Sequence, residues 1–222
     1  MTPRQSARGT SAVVTVARRT LGPLVARLGV RVFDLIYGER PIAQVPPEVP
    51  TAAALTVRLA HPDDVPAIAA RVGDVEGARV ARAAERGDVG VVALSDGAIA
   101  GYIWGSRTVV ELLDLTLCTL PPDGGYVHAA YVMPEHRGKR VLQVIARALH
   151  LELAARGCSF TCRLIDRANY ASLVATERSG IDYRWAPVVA LPSGRAFFLL
   201  GRPGALRRGL PLSHDGTRAA RV

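Results

Sequence analysis

One stretch constrains what this 222-residue chain can fold into more than any other: Tyr126-Val127-His128-Ala129-Ala130-Tyr131-Val132-Met133-Pro134-Glu135-His136-Arg137-Gly138-Lys139-Arg140-Val141-Leu142. A mostly apolar run ends at Pro134, a basic turn containing Gly138 follows, and a helical period starts at Val141. The stretch therefore reads as strand, turn, helix. Such a turn aims several backbone N–H groups and the positive end of a helix dipole at one spot. Arg137, Lys139 and Arg140 share the turn, so the expected occupant is a polyanion, foremost a pyrophosphate.

The patterns on either side frame this unit. Val141, Ile145, Leu149 and Leu153 form the apolar stripe of a helix running to Arg156 and stopped by Gly157. Upstream, Leu55 to Leu59 alternates as a strand. Helical pattern follows from His61-Pro62-Asp63-Asp64 to Val72 and again from Val75 to Glu85. Asp88–Leu94 and Ala98–Trp104 flank Ser95-Asp96-Gly97 as a hairpin, and residues 109–118 fit either a short helix or a strand. Downstream, Phe160, Cys162 and Leu164 alternate as a strand. Asn169 is a natural N-cap for a short helix, Tyr170–Arg178, stopped at Gly180, and residues 185–200 read as a last hairpin. This order predicts an α+β domain: a mixed, largely antiparallel central sheet flanked by helices.

The two ends carry most of the formal net charge of +9, with seven arginines against three acids up to residue 50 and five against one from residue 202 on. Residues 12–20 and 23–37 show helical periodicity, broken at Gly22-Pro23, and residues 41–50 hold four prolines. The expected division is a basic helical extension and linker over 1–50, a main domain over 51–201, and an Arg-rich disordered tail over 202–222. Solvated basic ends are the favoured reading, ahead of contact with nucleic acid or an anionic membrane. The N-terminal helices are expected to dock on their own domain or on a second subunit, leaving a homodimer open. Cys118, Cys158 and Cys162 form no CxxC pair, so no metal site or disulfide framework is expected. No apolar run reaches the roughly 18 residues of a membrane span and no secretory signal is evident, so a cytoplasmic location is expected.

Two motifs in this order resemble those of the GCN5-related N-acetyltransferase superfamily, over about residues 55–200. Val132, Pro134, Arg137, Gly138, Lys139 and Val141 match a common form of its first motif. Asn169, Ser172, Glu177, Arg178 and Gly180 match the second, with Ile181 in place of the usual Phe. The resemblance implies acetyl transfer from acetyl-CoA, held in a splay between two parallel strands, to an amine of a small molecule or protein. It implies that the backbone of Tyr131, Val132 and Met133 meets the pantetheine arm. The N–H groups of Arg137, Gly138, Lys139, Arg140, Val141 and Leu142 would meet the pyrophosphate, and Asn169 would lie near the arm. Arg140 and Leu142 stand where the family usually has Gly and Gly or Ala, and glycine there lets a phosphate approach the backbone closely.

Attack on a thioester needs an amine with a free lone pair, which calls for a base titrating near neutrality. The resemblance puts that base about ten residues before Arg137, where Tyr126 and His128 share a strand face. His128 is the preferred base, beside the plainer reading of a hydrogen-bonded strand histidine. The family's usual thiolate-protonating Tyr is replaced by Thr176. Thr176, with Arg140 and Leu142, supports a second reading: a catalytically degenerate CoA-binding or regulatory module acting through the basic N-terminal helices.

Overall fold

Strands make up most of the N-terminal part of the described chain. The computed structural model describes residues 27–46, 48–49, 54–113, 115–178 and 181–209. Its elements are β1 (Arg31–Phe33), β2 (Leu35–Pro41), β3 (Thr56–Leu59), α1 (Asp64–Val72), α2 (Asp74–Glu85), β4 (Val89–Ser95), β5 (Ala98–Ser106), β6 (Val109–Leu112), β7 (Leu115–Thr119), β8 (Gly124–Val132), α3 (Val141–Ala155), β9 (Phe160–Asp166), α4 (Tyr170–Arg178), β10 (Asp182–Trp185), β11 (Val188–Ala190) and β12 (Ala196–Phe198).

Of the helix expected over 23–37, residues 31–37 are thus corrected to β1 and the start of β2, while residues 23–26 lie outside the described residues. Leu24, Leu28, Val32 and Leu35 recur at helical steps, yet Gly29 sits at φ +70° and interrupts the chain. Beyond it the two edges of β2 are both taken, Tyr37 standing beside Leu164 of β9 and Arg184 of β10. Tertiary pairing outweighs local periodicity here. The expected helix over 12–20 lies outside the described residues.

A seven-stranded sheet in the order β10-β2-β9-β8-β5-β4-β3 forms the centre. Every neighbour pair is antiparallel except β8 with β9. Because β2 lies inside it, the boundary expected at residue 51 falls within the sheet's own chain. On one face the α3 stripe of Val141, Ile145, Leu149 and Leu153, each at most 1% exposed, packs on Val91, Ile103 and Val127. Each such side chain stabilises the fold by about 1.5–3 kcal/mol relative to exposure. A second cluster joins Ile68 of α1 and Val80 of α2 to Tyr102, Trp104 and Met133.

A third cluster gathers around Tyr37, Tyr126, Phe160 and Cys162, covered by the β6–β7 hairpin and by the small sheet β1-β11-β12. Residues 109–118 resolve as strands because Val110 and Cys118 pair across that hairpin and are both fully buried. The start of the expected disordered tail is also corrected. Leu206 is fully buried, the Ala205 N–H donates to the Glu39 carboxylate (2.7 Å), and Arg208 lies over the Phe160 ring (5.3 Å). Residues 210–222 lie outside the described residues. No helix among the described residues is long and apolar enough to cross a membrane. The three cysteines are free and buried, and burial raises the Cys118 thiol to about 11.

Candidate active site

A gap in the sheet creates the site. Parallel pairing of β8 with β9 covers Gly124 with Phe160, Gly125 with Thr161 and Tyr126 with Cys162, and goes no further. Past Tyr126 the strands diverge while β8 stays bonded to β5 on its other side, out to Val132. A bulge at Ala129, at φ +46°, accompanies a register shift against β5 and bends the strand at this point. The backbone of Ala130 to Met133 thus runs along the open side of a wedge.

The chain then turns sharply. Pro134–His136 make one 3-10 turn, Gly138 takes φ +77°, and Arg140 takes φ +61° immediately before α3. Gly138 needs no side chain for that conformation; Arg140 holds it at a cost of about 1–2 kcal/mol. The left-handed backbone at 140 is the physical reason a glycine is the easier residue there. No side chain caps the start of α3, so its first N–H groups point outward with the positive end of the dipole. Arg137 folds back over the Tyr131 ring (5.6 Å) and donates to the Val132 carbonyl (3.3 Å), tying the turn to its strand.

This turn forms one end of a cleft of about 790 Å³. Of the expected cofactor residues, Val132, Arg137, Gly138, Arg140, Val141 and Leu142 line it. Tyr131, Met133 and Lys139 flank them in the chain, with Met133 turned into the core beside α1 and Tyr131 stacked on Tyr102 (6.0 Å). Asn169 caps α4 through Oδ1, which accepts from the Ser172 N–H (3.1 Å), and it is not among the lining residues. The Thr176 side chain and Gly180 lie outside the described residues. The rest of the lining that was not visible in the sequence includes Arg40 of β2, Val45, Pro46, Glu48 and Val49 beyond it, Arg147 and His150 of α3, and Arg163 of β9.

On the opposite face of β8, His128 and Tyr126 stand side by side with rings stacked at 5.6 Å. His128 Nε2 lies 3.0 Å from Asp88 Oδ2, and the same oxygen accepts from Arg86 Nη2 (2.6 Å). Arg86 reaches on to Glu111 (2.7 Å), and the Tyr126 hydroxyl donates to the Glu111 carbonyl (2.6 Å). Burial alone would raise the Asp88 carboxyl; the bonds from His128 and Arg86 outweigh it and hold it below the usual carboxylate range. Burial drives the Tyr126 phenol well above its ordinary value, so it stays protonated. Asp88, Arg86 and Glu111 went unrecognised in the sequence because they are scattered; the only trace was the charged turn Arg86-Gly87-Asp88 after α2.

The arrangement of these elements as a whole matches known structures. The protein resembles a tandem GNAT protein from the clavulanic acid biosynthesis pathway (TM-score 0.52, 17% identity, covering 77% of this chain and 58% of that one). The GCN5-related N-acetyltransferase of Sphaerobacter thermophilus gives a TM-score of 0.52 at 17% identity, over 77% and 55%. The chain has the GCN5-related N-acetyltransferase fold. A functionally unknown conserved protein of Staphylococcus epidermidis also shares it, with a TM-score of 0.53 at 11% identity, over 75% and 64%. The chain spans between 55% and 64% of these three proteins. No family model matches the sequence, and no curated protein does. Within this N-acetyltransferase fold, β8 and β9 are the splayed strands and α3 is the helix behind the turn.

Proposed function

We propose that the protein transfers an acyl group, acetyl in the simplest case, from its CoA thioester to an amine by direct attack. The observation that carries this reading is the wedge between β8 and β9 running into the uncapped, basic start of α3. An extended amide-bearing arm suits the free edge of β8. A pyrophosphate suits the N–H groups from Gly138 to Leu142, with Arg137, Lys139 and Arg140 supplying countercharge.

His128 is the proposed base. With Nε2–H donating to Asp88, the lone pair lies on Nδ1, and the carboxylate stabilises the imidazolium once a proton arrives. Tyr126 is a positioning residue that holds the ring by stacking. The amine nitrogen forms its bond to the thioester carbonyl carbon, the C–S bond breaks, the proton leaves through His128, and CoA departs as the thiol after protonation.

Two measurements test this together. Calorimetry is expected to show acetyl-CoA binding that Gly138→Asp abolishes. Thiol release with a panel of amines is expected to fall by about 10²–10⁴ in His128→Gln with acetyl-CoA affinity unchanged. Equal binding by wild type and Gly138→Asp refutes the CoA site. Binding without turnover on any amine refutes the transferase and leaves a CoA-binding module.

A further inference from the structure

The cleft beside the turn is more basic, and more deeply so, than a pyrophosphate requires. Five arginines line it against one acid, the exposed Glu48. Three of its basic groups lie far from the turn. Arg163 of β9 stands beside Gly38 of β2, and Arg40 lies two residues further along β2, so both guanidiniums project from one face of adjacent strands. Gly38 adds no side chain between them. His150, 2% exposed, faces them from α3. Among the described residues only three buried side-chain polar atoms lack a hydrogen-bond partner, and two are Arg40 Nε and His150 Nε2. Burial, with Arg40 alongside, pulls Arg163 down to about 10; burial and the same two arginines push His150 down to about 3. Arg40 Nη2 donates to the Gln44 carbonyl, which leaves Arg40 Nε and the half-buried Arg163 guanidinium facing the cleft with no buried carboxylate among its described lining. The neutral His150 ring walls the same spot; two cations held this close are costly to leave without a countercharge.

The position of this group along the cleft says what would meet it. His150 lies nine residues from Val141, about 13.5 Å along the helix at a rise of about 1.5 Å per residue. A pantetheine arm has about twelve chain bonds between its phosphate ester oxygen and its sulfur. That equals about four residues of extended backbone, or roughly 13–14 Å. An arm anchored at the start of α3 therefore delivers its thioester to the level of His150. The strand register agrees: Arg163 directly follows Cys162, the last β9 residue paired with β8, so it stands at the apex of the wedge.

We propose that Arg40 and Arg163, walled by His150, form an acyl subsite for a carboxylate, so that the favoured donor is the CoA thioester of a dicarboxylic acid, such as a succinyl or malonyl group, rather than acetyl-CoA. The inference rests on reading the turn as the CoA pyrophosphate site. It leaves the bond changes of the transfer as they are and adds only a charged end to the acyl chain.

Titration calorimetry on the full chain separates the outcomes, using CoA, 3′-dephospho-CoA, acetyl-CoA and succinyl-CoA. Succinyl-CoA is expected to bind at least tenfold more tightly than acetyl-CoA. Arg163→Met is expected to erase that difference while leaving free CoA unaffected, and Arg163→Lys to restore part of it. Should Arg163→Met fail to fold, Arg40→Met reads the same difference. Equal affinities for the two thioesters in the wild type overturn the subsite and leave the CoA site standing. If Arg163→Met weakens CoA itself as much as removing the 3′-phosphate does, the arginines hold the nucleotide and the proposal fails. If none of the four ligands binds, the CoA reading itself is what falls.

Discussion

Asp88 offers the sharpest test of how the His128 site is built. Its Oδ2 receives His128 Nε2 at 3.0 Å and Arg86 Nη2 at 2.6 Å, and its side chain is only 3% exposed. Asp88→Asn preserves shape and leaves an acceptor oxygen for both donors, removing only the charge. Charged hydrogen bonds are worth about 1.5–3 kcal/mol against about 0.5–1.5 for neutral ones, so two of them predict a loss of about 2–3 kcal/mol. Arg86 is partly exposed and keeps Glu111, which favours the lower figure. Asp88→Ala also strands the buried imidazole and part of the guanidinium, which brings the loss to about 4 kcal/mol, within the range for breaking a buried pair. Urea unfolding at neutral pH reads both, provided the slope with denaturant stays constant. The pH dependence is fixed in sign. The folded carboxyl titrates below its unfolded value of about 3.9, so its contribution is present above that pH and is lost as pH falls through the folded value. The gap between wild type and Asp88→Asn therefore closes in acid. A loss under about 0.5 kcal/mol for Asn, an Ala variant no worse than Asn, or a gap that persists at the lowest accessible pH would each refute the reasoning.

Other outcomes follow from the backbone and the core. Arg140→Gly relieves a left-handed residue and is expected to stabilise by about 0.5–1 kcal/mol, raising the thermal midpoint by roughly 1–4 °C in a scanning measurement. A chain beginning at residue 51 lacks β2 and leaves β9 and β10 without their shared neighbour; it is expected to aggregate or bind a hydrophobic dye, whereas the whole protein does neither. Leu206→Ala is expected to cost about 2–5 kcal/mol in chemical denaturation, a loss a disordered tail would not show.

What the sequence disclosed and what it hid divide by the range of the interactions. The α3 stripe was legible because Val141, Ile145, Leu149 and Leu153 report on a single helix face, and all four are buried as that period requires. The turn from Pro134 to Arg140 was legible for the same local reason. Residues 31–37 were misread because their state is decided by β9, β10 and β11, far along the chain, while Val32 and Leu35 happen to continue the helical steps of Leu24 and Leu28. The segment around Leu206 was misjudged by composition: its Gly, Pro and Arg look like a tail, yet one leucine finds a pocket beside Tyr37 and Phe160. The surroundings of His128 were hidden because Asp88, Glu111 and His128 come from three separate strands or turns and meet only when the sheet assembles.

The place of β2 in the sheet also sets an order of events. Its residues leave the ribosome early, but the strands that flank it, β9 and β10, come late in the chain. At about 5–20 residues per second, the stretch from Tyr37 to its neighbour Leu164 takes roughly 6–25 s to make. Until then β2 has no edge to join, while the β4–β5 hairpin can form within its own short span. The newborn chain must hold an unpaired, half-apolar strand in waiting, and the basic cleft that borrows Arg40 from that strand is completed only when it docks.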